Sequence, residues 1–309
     1  MKGTLHSPWD KVVAGGVRGI SVVAMTTVLI LMLLLVWTLG EKASAAIQTY
    51  GFSFLTNTQW NPVAERETYG ILPMLYGTLA SSAIALLLAI PCGVMTAIFL
   101  SEHFLPFESL FAFLVELLAA IPSVVYGFWG IFVLIPVLQP PSAWLYDHFS
   151  WFPLFATPPI GPGLLPAGVI LAIMILPIIT AISRSSLKAV PSELREAAMA
   201  LGATRWEAIL FIFLPSAASG IMGAIILALG RALGETMAVI MVIGNANQLQ
   251  LSLFAPASAI APLLANQFAE AQGMQVSALM YAGLVLLVVT LTVNLVAEIM
   301  LQQLYHNHY

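Results

Sequence analysis

The sequence predicts an all-α, polytopic membrane protein with about six transmembrane helices, and three observations lead there. Of its 309 residues 60% are hydrophobic and 8% charged, and the mean hydropathy is +0.98. A soluble domain with a solvated surface does not reach such values. The apolar residues gather into runs long enough to cross a hydrocarbon core about 30 Å thick. The ten lysines and arginines are spread unevenly between the intervening segments, as the positive-inside rule requires of a membrane protein.

Taken in order, residues 1 to 16 are polar or mixed, and the first span is Gly19 to Leu39. Ala43-Ser44-Ala45 has the form of a signal-cleavage site, but an apolar run of about 21 residues exceeds the usual 7–15 of a signal peptide, so the span is retained. Residues 40 to 70 are a polar segment with interfacial aromatics, among them Tyr50, Trp60 and Tyr69. The second span runs from Ile71 to Leu100, kinked at Pro91, and ends in a short turn at Ser101-Glu102-His103. From Phe107 to Leu138 an apolar segment holds Glu116, Pro122, Gly127, Gly130 and Pro136, breaks that predict an interrupted helix lining a cavity.

Residues 139 to 163 are rich in proline and aromatics, and read as an extracytoplasmic loop of rigid turns with at most a short interfacial piece around 144–151. The next span, Leu164 to Ile182, is interrupted by Pro177. Charge is densest after it, at Arg184, Lys188, Glu193, Arg195, Glu196, Arg205 and Glu207. There Ser192 is an N-cap candidate and Gly202 is placed to end a short helix. A fifth span follows Pro215, residues 244 to 276 read as a polar loop, and the last span is Ser277 to Leu301. With the N-terminus inside, Lys2, Lys11, Arg18, Arg184, Lys188, Arg195 and Arg205 are cytoplasmic, as is the C-terminus. Only Lys42 and Arg66 lie outside.

Arg231 is the exception, a full charge inside the apolar run from Ser216 to Ile243. Read as one helix of roughly 42 Å at 1.5 Å per residue, that run puts Arg231 near mid-membrane, where it must face protein or water. Glu235 at i, i+4 then shares its helix face, and Gly230 and Gly234 allow another helix close. Arg231 and Glu235 are therefore the candidate translocation residues, with Thr236 beside them. Glu116 is a further candidate, because a carboxylate within a span is costly. A purely structural ion pair is the rival reading.

Other chemistries lack their residues. No lysine stands in a G-x-x-x-x-G-K-[ST] context, and no H-E-x-x-H, Cys/His cluster or G-x-S-x-G elbow is present. Cys92 is the one cysteine, read as a small core residue, and the five histidines are scattered over termini and loops. No metal site, cofactor or nucleic-acid partner is expected for this chain.

Glu196-Ala197-Ala198, followed at the fitting intervals by Gly202, Ile212 and Leu214-Pro215, resembles the EAA loop of ABC importer permeases. The stretches Glu116 to Gly127, Gly230 to Val239 and Phe268 to Ala271 are similar to the PstC-type permeases of phosphate-specific ABC importers. The resemblance implies a MetI-like ABC importer permease fold in a bacterial cytoplasmic membrane. The implied division is an N-terminal part over 1–66, a permease core over 67–303 with the coupling loop at 191–215, and a tail over 304–309. Implied partners are a second, PstA-like permease, two PstB-like ATPases that hold ATP and Mg, and an extracytoplasmic PstS-like phosphate-binding protein. Glu196, Ala197, Ala198 and Gly202 would then couple this chain to the ATPase. Another oxyanion as substrate is an alternative; a proton-coupled transporter relaying through Glu235 or Glu116 is a more distant one.

Overall fold

The computed structural model describes residues 8–63, 66–102 and 107–306, with side chains described between 16 and 299. The tail with Lys2 and His6, the turn residue His103, and His308 lie outside the described residues. Six helical stretches among the described residues have the length and apolarity to cross a membrane, matching the number expected.

The first helix, α1 (Pro8–Tyr50), is much longer than the expected span. It carries no proline or glycine breaker past Leu39 other than Gly40, and Ala43 and Ala46 bury completely. A single hydroxyl fixes that end to the last helix: Ser277 Oγ accepts from the Ala46 amide at 3.0 Å and donates to the Lys42 carbonyl at 2.8 Å. A short helix α2 (Ser53–Thr56) leads into a two-stranded antiparallel hairpin, β1 (Trp60–Asn61) and β2 (Thr68–Tyr69), which the aromatic count had hidden. Those aromatics pack on one another rather than merely marking an interface. Phe54 stacks on Tyr281 at 4.4 Å, and Trp60 meets Tyr69 edge-on at 5.0 Å.

Helix α3 (Leu72–Ser101) contains Pro91, and α4 (Glu108–Ala120) stops at Ile121-Pro122. Beyond that break the chain continues as α5 (Ser123–Trp129), a π-helical turn at Gly130–Leu134, and α6 (Ile135–Phe149). The expected loop of proline turns is thus half helix. A proline's φ is already helical, so Pro140 and Pro141 cost the bonds to the carbonyls of Pro136 and Val137, not the backbone direction. The central span is α7 (Leu164–Lys188): 61% of its most apolar stretch is buried, against none for α1, so α7 is the axis and α1 the rim.

Two short helices follow, α8 (Ser192–Ala200) and α9 (Arg205–Ala208), then a second π-helical turn at Ile209–Phe213. The N-cap of α8 is Pro191, with no side-chain bond; Ser192 is the first helical residue, because Pro191 already supplies the extended backbone (φ −56°, ψ 137°) that a cap needs. The fifth span is α10 (Leu214–Gly234), continued after a break by α11 (Met237–Val242). The segment expected as a polar loop folds back into the core. Phe254, Ala255, Ala257 and Ala259 are buried, and Leu165 donates its amide to Leu253 at 2.8 Å. Its own run Leu251 to Leu264 is apolar, which explains the re-entry. Helix α12 (Ile260–Gln267) and the last span α13 (Met274–His306) close the bundle.

Candidate translocation and coupling sites

Arg231 does not sit midway along one continuous helix. It lies in the last turn of α10, which ends at Gly234, and Glu235 takes an extended backbone (φ −69°, ψ 131°). The face shared at i, i+4 therefore does not exist. Among the described residues Arg231 and Glu235 form no ion pair. Two local effects end the helix. Gly234 is a poor helix former, and the Glu235 carboxylate turns to the next helix, where Oε1 accepts from the Ala238 amide at 3.4 Å. Each charge thus complements a helix end, Arg231 the carbonyl end of α10 and Glu235 the amide end of α11. Thr236 donates to the Gly234 carbonyl at 3.2 Å and stays within the break.

The other interrupted helix lies nearby. Arg231 is exposed on this chain, and α5, which carries the buried Tyr126, packs against α11 just beyond the break. Tyr126 in turn bridges the break at Ile121-Pro122, donating to the Leu118 carbonyl at 2.8 Å. The segments after the two breaks, α5 and α11, pack tightly: a Cβ on Gly127 would collide with Met241. The structure thus brings Arg231, Glu235 and Thr236 to one helix break, with Tyr126 of the second interrupted helix near it. Glu116 is not part of that group by any bond; it is exposed on α4, before the other break, with no ion pair among the described residues. Tyr126 is the residue that sequence reasoning missed, although its place four residues after Pro122 was the available signal.

At the charged end, α8 presents Glu196 and Ala197 outward and buries Ala198. Gly202 ends it as expected: with φ +85°, its amide donates to the Met199 carbonyl at 3.0 Å and that of Ala203 to Ala198 at 3.1 Å. That pair of bonds is a Schellman motif, which needs a left-handed residue at this place. No neighbour lies within 4 Å of a Cβ built there, so the glycine serves the turn and not close packing within this chain. Thr204 and Glu207 then form a capping box that starts α9. Leu194, Met199, Leu201 and Trp206 are left exposed around the turn, Leu201 by 89%, an apolar patch rimmed by charge of the kind that partners cover.

The basic residues here have acidic partners that the sequence did not advertise. Arg195 makes two bonds to Glu102, 2.6 Å each, and Arg184 and Lys188 meet Glu108 at 2.6 and 3.0 Å. Glu102 had been read as part of a turn. The surplus of cations at this end was the signal that carboxylates from neighbouring spans must come to them.

Residues 89–306 match the family described as binding-protein-dependent transport system inner membrane component. The chain belongs to that family. Among similar inner membrane components is the phosphate transport system permease protein PstC of Mesorhizobium japonicum, 48% identical over 84% of this chain and 81% of that protein. The probable phosphate transport system permease protein PstC of Methanocaldococcus jannaschii is 38% identical over 90% of each. In fold, this family member resembles a bacterial ABC transporter involved in import of the acidic polysaccharide alginate, with TM-score 0.62, 19% identity and coverage of 96% of this chain and 99% of that one. An inward-facing MetNI methionine ABC transporter matches with TM-score 0.52 and 17% identity, over 76% and 94%. The fold is thus the MetI-like permease fold, and this inner membrane component is a multi-pass protein.

Proposed function

We propose that this chain is the membrane-spanning permease subunit of an ATP-driven importer of inorganic phosphate. The reading is supported by identity of 38–48% to phosphate permeases over most of the chain. In this reading α8 and the exposed side chains around Gly202 dock onto a separate PstB-like ATPase that holds ATP and Mg. A PstA-like permease completes the passage, and a PstS-like binding protein delivers phosphate at the hairpin end. In this reading the α8 end and both termini face the cytoplasm, which the surplus of basic residues at the N-terminus and the α8 end supports.

Arg231 offers positive potential to an anion in a low-dielectric passage, and Glu235 keeps that potential from becoming a trap, since permanent binding would stop transport. Thr236 supplies a hydroxyl beside them. Such a passage accounts for Arg231 having no carboxylate partner among the described residues.

The test is uptake into vesicles holding the purified complex, with binding protein outside and ATP at the α8 face. Phosphate uptake should need ATP, survive collapse of the proton gradient and resist excess sulfate or molybdate. Loss of uptake with the gradient would favour a proton-coupled carrier, and preferential competition by sulfate would reassign the substrate.

A further inference from the structure

Glu102 caps the C-terminal end of the second span's helix, one residue past Ser101, and is the most enclosed charge among the described residues at that end, its side chain 2% exposed. Both carboxylate oxygens are taken by the Arg195 fork, Oε2 from Nη1 and Oε1 from Nη2 at 2.6 Å each. Arg205 of α9 also reaches it, with Nε 3.8 Å from Oε2 and Nη2 donating to the Glu102 carbonyl. Arg195 is gripped on its other side as well, its guanidinium lying 4.6 Å over the Phe213 ring. Of the α8 side chains, by contrast, only Ala198 is buried; Glu193, Leu194, Glu196, Ala197 and Met199 face outward.

We infer that Glu102 is a positioning residue through which α8 drives α3. This rests on the reading that α8 docks a partner ATPase. Pulling α8 away from Glu102 would leave a carboxylate buried without its partner, which is strongly unfavourable, so α3 follows α8 instead of parting from it. Helix α3 is about 45 Å long at 1.5 Å per residue, and its far end is also held. There Thr78 Oγ1 accepts from the Ile260 amide at 2.9 Å, and the Ser258 carbonyl sits against Gly77 where a Cβ would collide. Displacement of α8 is thereby carried to the re-entrant segment 251–264 at the hairpin end.

The experiment uses the assembled complex in vesicles and measures phosphate taken up per ATP hydrolysed. In Glu102→Gln the ATPase should copurify as in the wild type and hydrolyse ATP, while uptake per ATP falls about fivefold or more, the scale of a typical coupling between sites. Arg195→Lys keeps the charge on a half-exposed side chain but loses the fork, and should lower the same ratio by a smaller factor. A role in stability alone would reduce the amount of complex and leave the ratio unchanged, and that result overturns the inference. If Glu102→Gln does not accumulate, an unchanged ratio in Arg195→Lys overturns it equally. A wild-type preparation lacking any ATPase would instead remove the underlying reading, and is visible before any variant is made.

Discussion

The two charged regions of this chain are built on opposite plans. At the α8 end every described basic residue from Arg184 to Arg205 contacts a carboxylate or a carbonyl, and Glu102 is closed off from solvent. At the break after α10, Arg231 and Glu235 each sit at a helix end and leave one another alone. Charges that neutralise each other inside a chain hold that chain together. A cation left open at a helix break within a membrane protein is, on the proposed reading, available to an anion in passage.

The largest effect should come from neutralising the open cation. Arg231→Gln should lower phosphate uptake by about two orders of magnitude or more, as expected when a low-dielectric passage loses its main attraction for an anion, while the complex still assembles. The double variant Arg231→Gln/Glu235→Gln should stay inactive. Recovery of uptake in the double variant, measured beside assembly, would show that the two pair in the complex and would erase the contrast between the regions.

Next comes the turn that shapes the proposed coupling surface. Gly202→Val places a β-branched residue at φ +85°, a left-handed conformation that costs an L-residue about 1–2 kcal/mol and a β-branched one more. Coupled ATP hydrolysis should fall about tenfold, on the scale of that strain, whereas Gly202→Asn should be nearly normal, because asparagine tolerates the conformation. Equal activity of the two variants in an ATPase assay would separate the turn from coupling.

Glu116→Gln tests whether an exposed carboxylate on α4 belongs with Arg231 at all. Since the structure gives it no bond to that break, uptake should change by less than about threefold, within the range of an ordinary surface substitution. A loss comparable to that in Arg231→Gln would restore Glu116 to the translocation path.

How far the sequence could have led to this picture varies with the kind of signal. The six spans were legible because a long apolar run has one stable fate in a bilayer. The break at Glu235 was not, because helix periodicity offered an ion pair at i, i+4 that competed with the weaker cue of Gly234 followed by Glu and Thr. Helix α6 was hidden by the habit of reading prolines as turns, although Pro136 stands at a helix start where proline is at home. The Schellman turn at Gly202 was legible from the one residue that fits it. Glu102 and Glu108 were not, since their partners are 76 or more positions away in the chain and span-end carboxylates ordinarily meet water.

A last prediction concerns stability, at the aromatic cluster of the hairpin end. Tyr69 is fully buried and its hydroxyl has no partner among the described residues; burial first, then the charge of Glu67 and the neighbouring Tyr50, push its pKa up to about 12. The unfolded chain releases that proton near pH 10, so the contribution to stability is intact below pH 10 and is lost as pH rises toward 12. Tyr69→Phe should remove this alkaline loss and raise stability by about 1 kcal/mol at neutral pH, the penalty of an unpaired hydroxyl. Thermal melts of the detergent-solubilised chain at pH 8 and pH 11 would show it, and a lower melting temperature for the variant at pH 8 would mean that the hydroxyl is paired in solution.

Both π-helical turns end on the same device, an amide bonded five residues back, from Ile135 to Gly130 and from Leu214 to Ile209, with a proline immediately after. Each such turn inserts one residue into the helical count, and one residue is a rotation of about 100°. The turn at Ile209–Phe213 therefore sets the angular phase between α9 below it and Arg231 above. Deleting a single residue there would keep the span long enough to cross the membrane and leave its composition almost unchanged, yet it would swing the guanidinium about a quarter-turn around the helix axis. Loop-length variation is tolerated elsewhere in such proteins; within these five residues length itself is an angular setting.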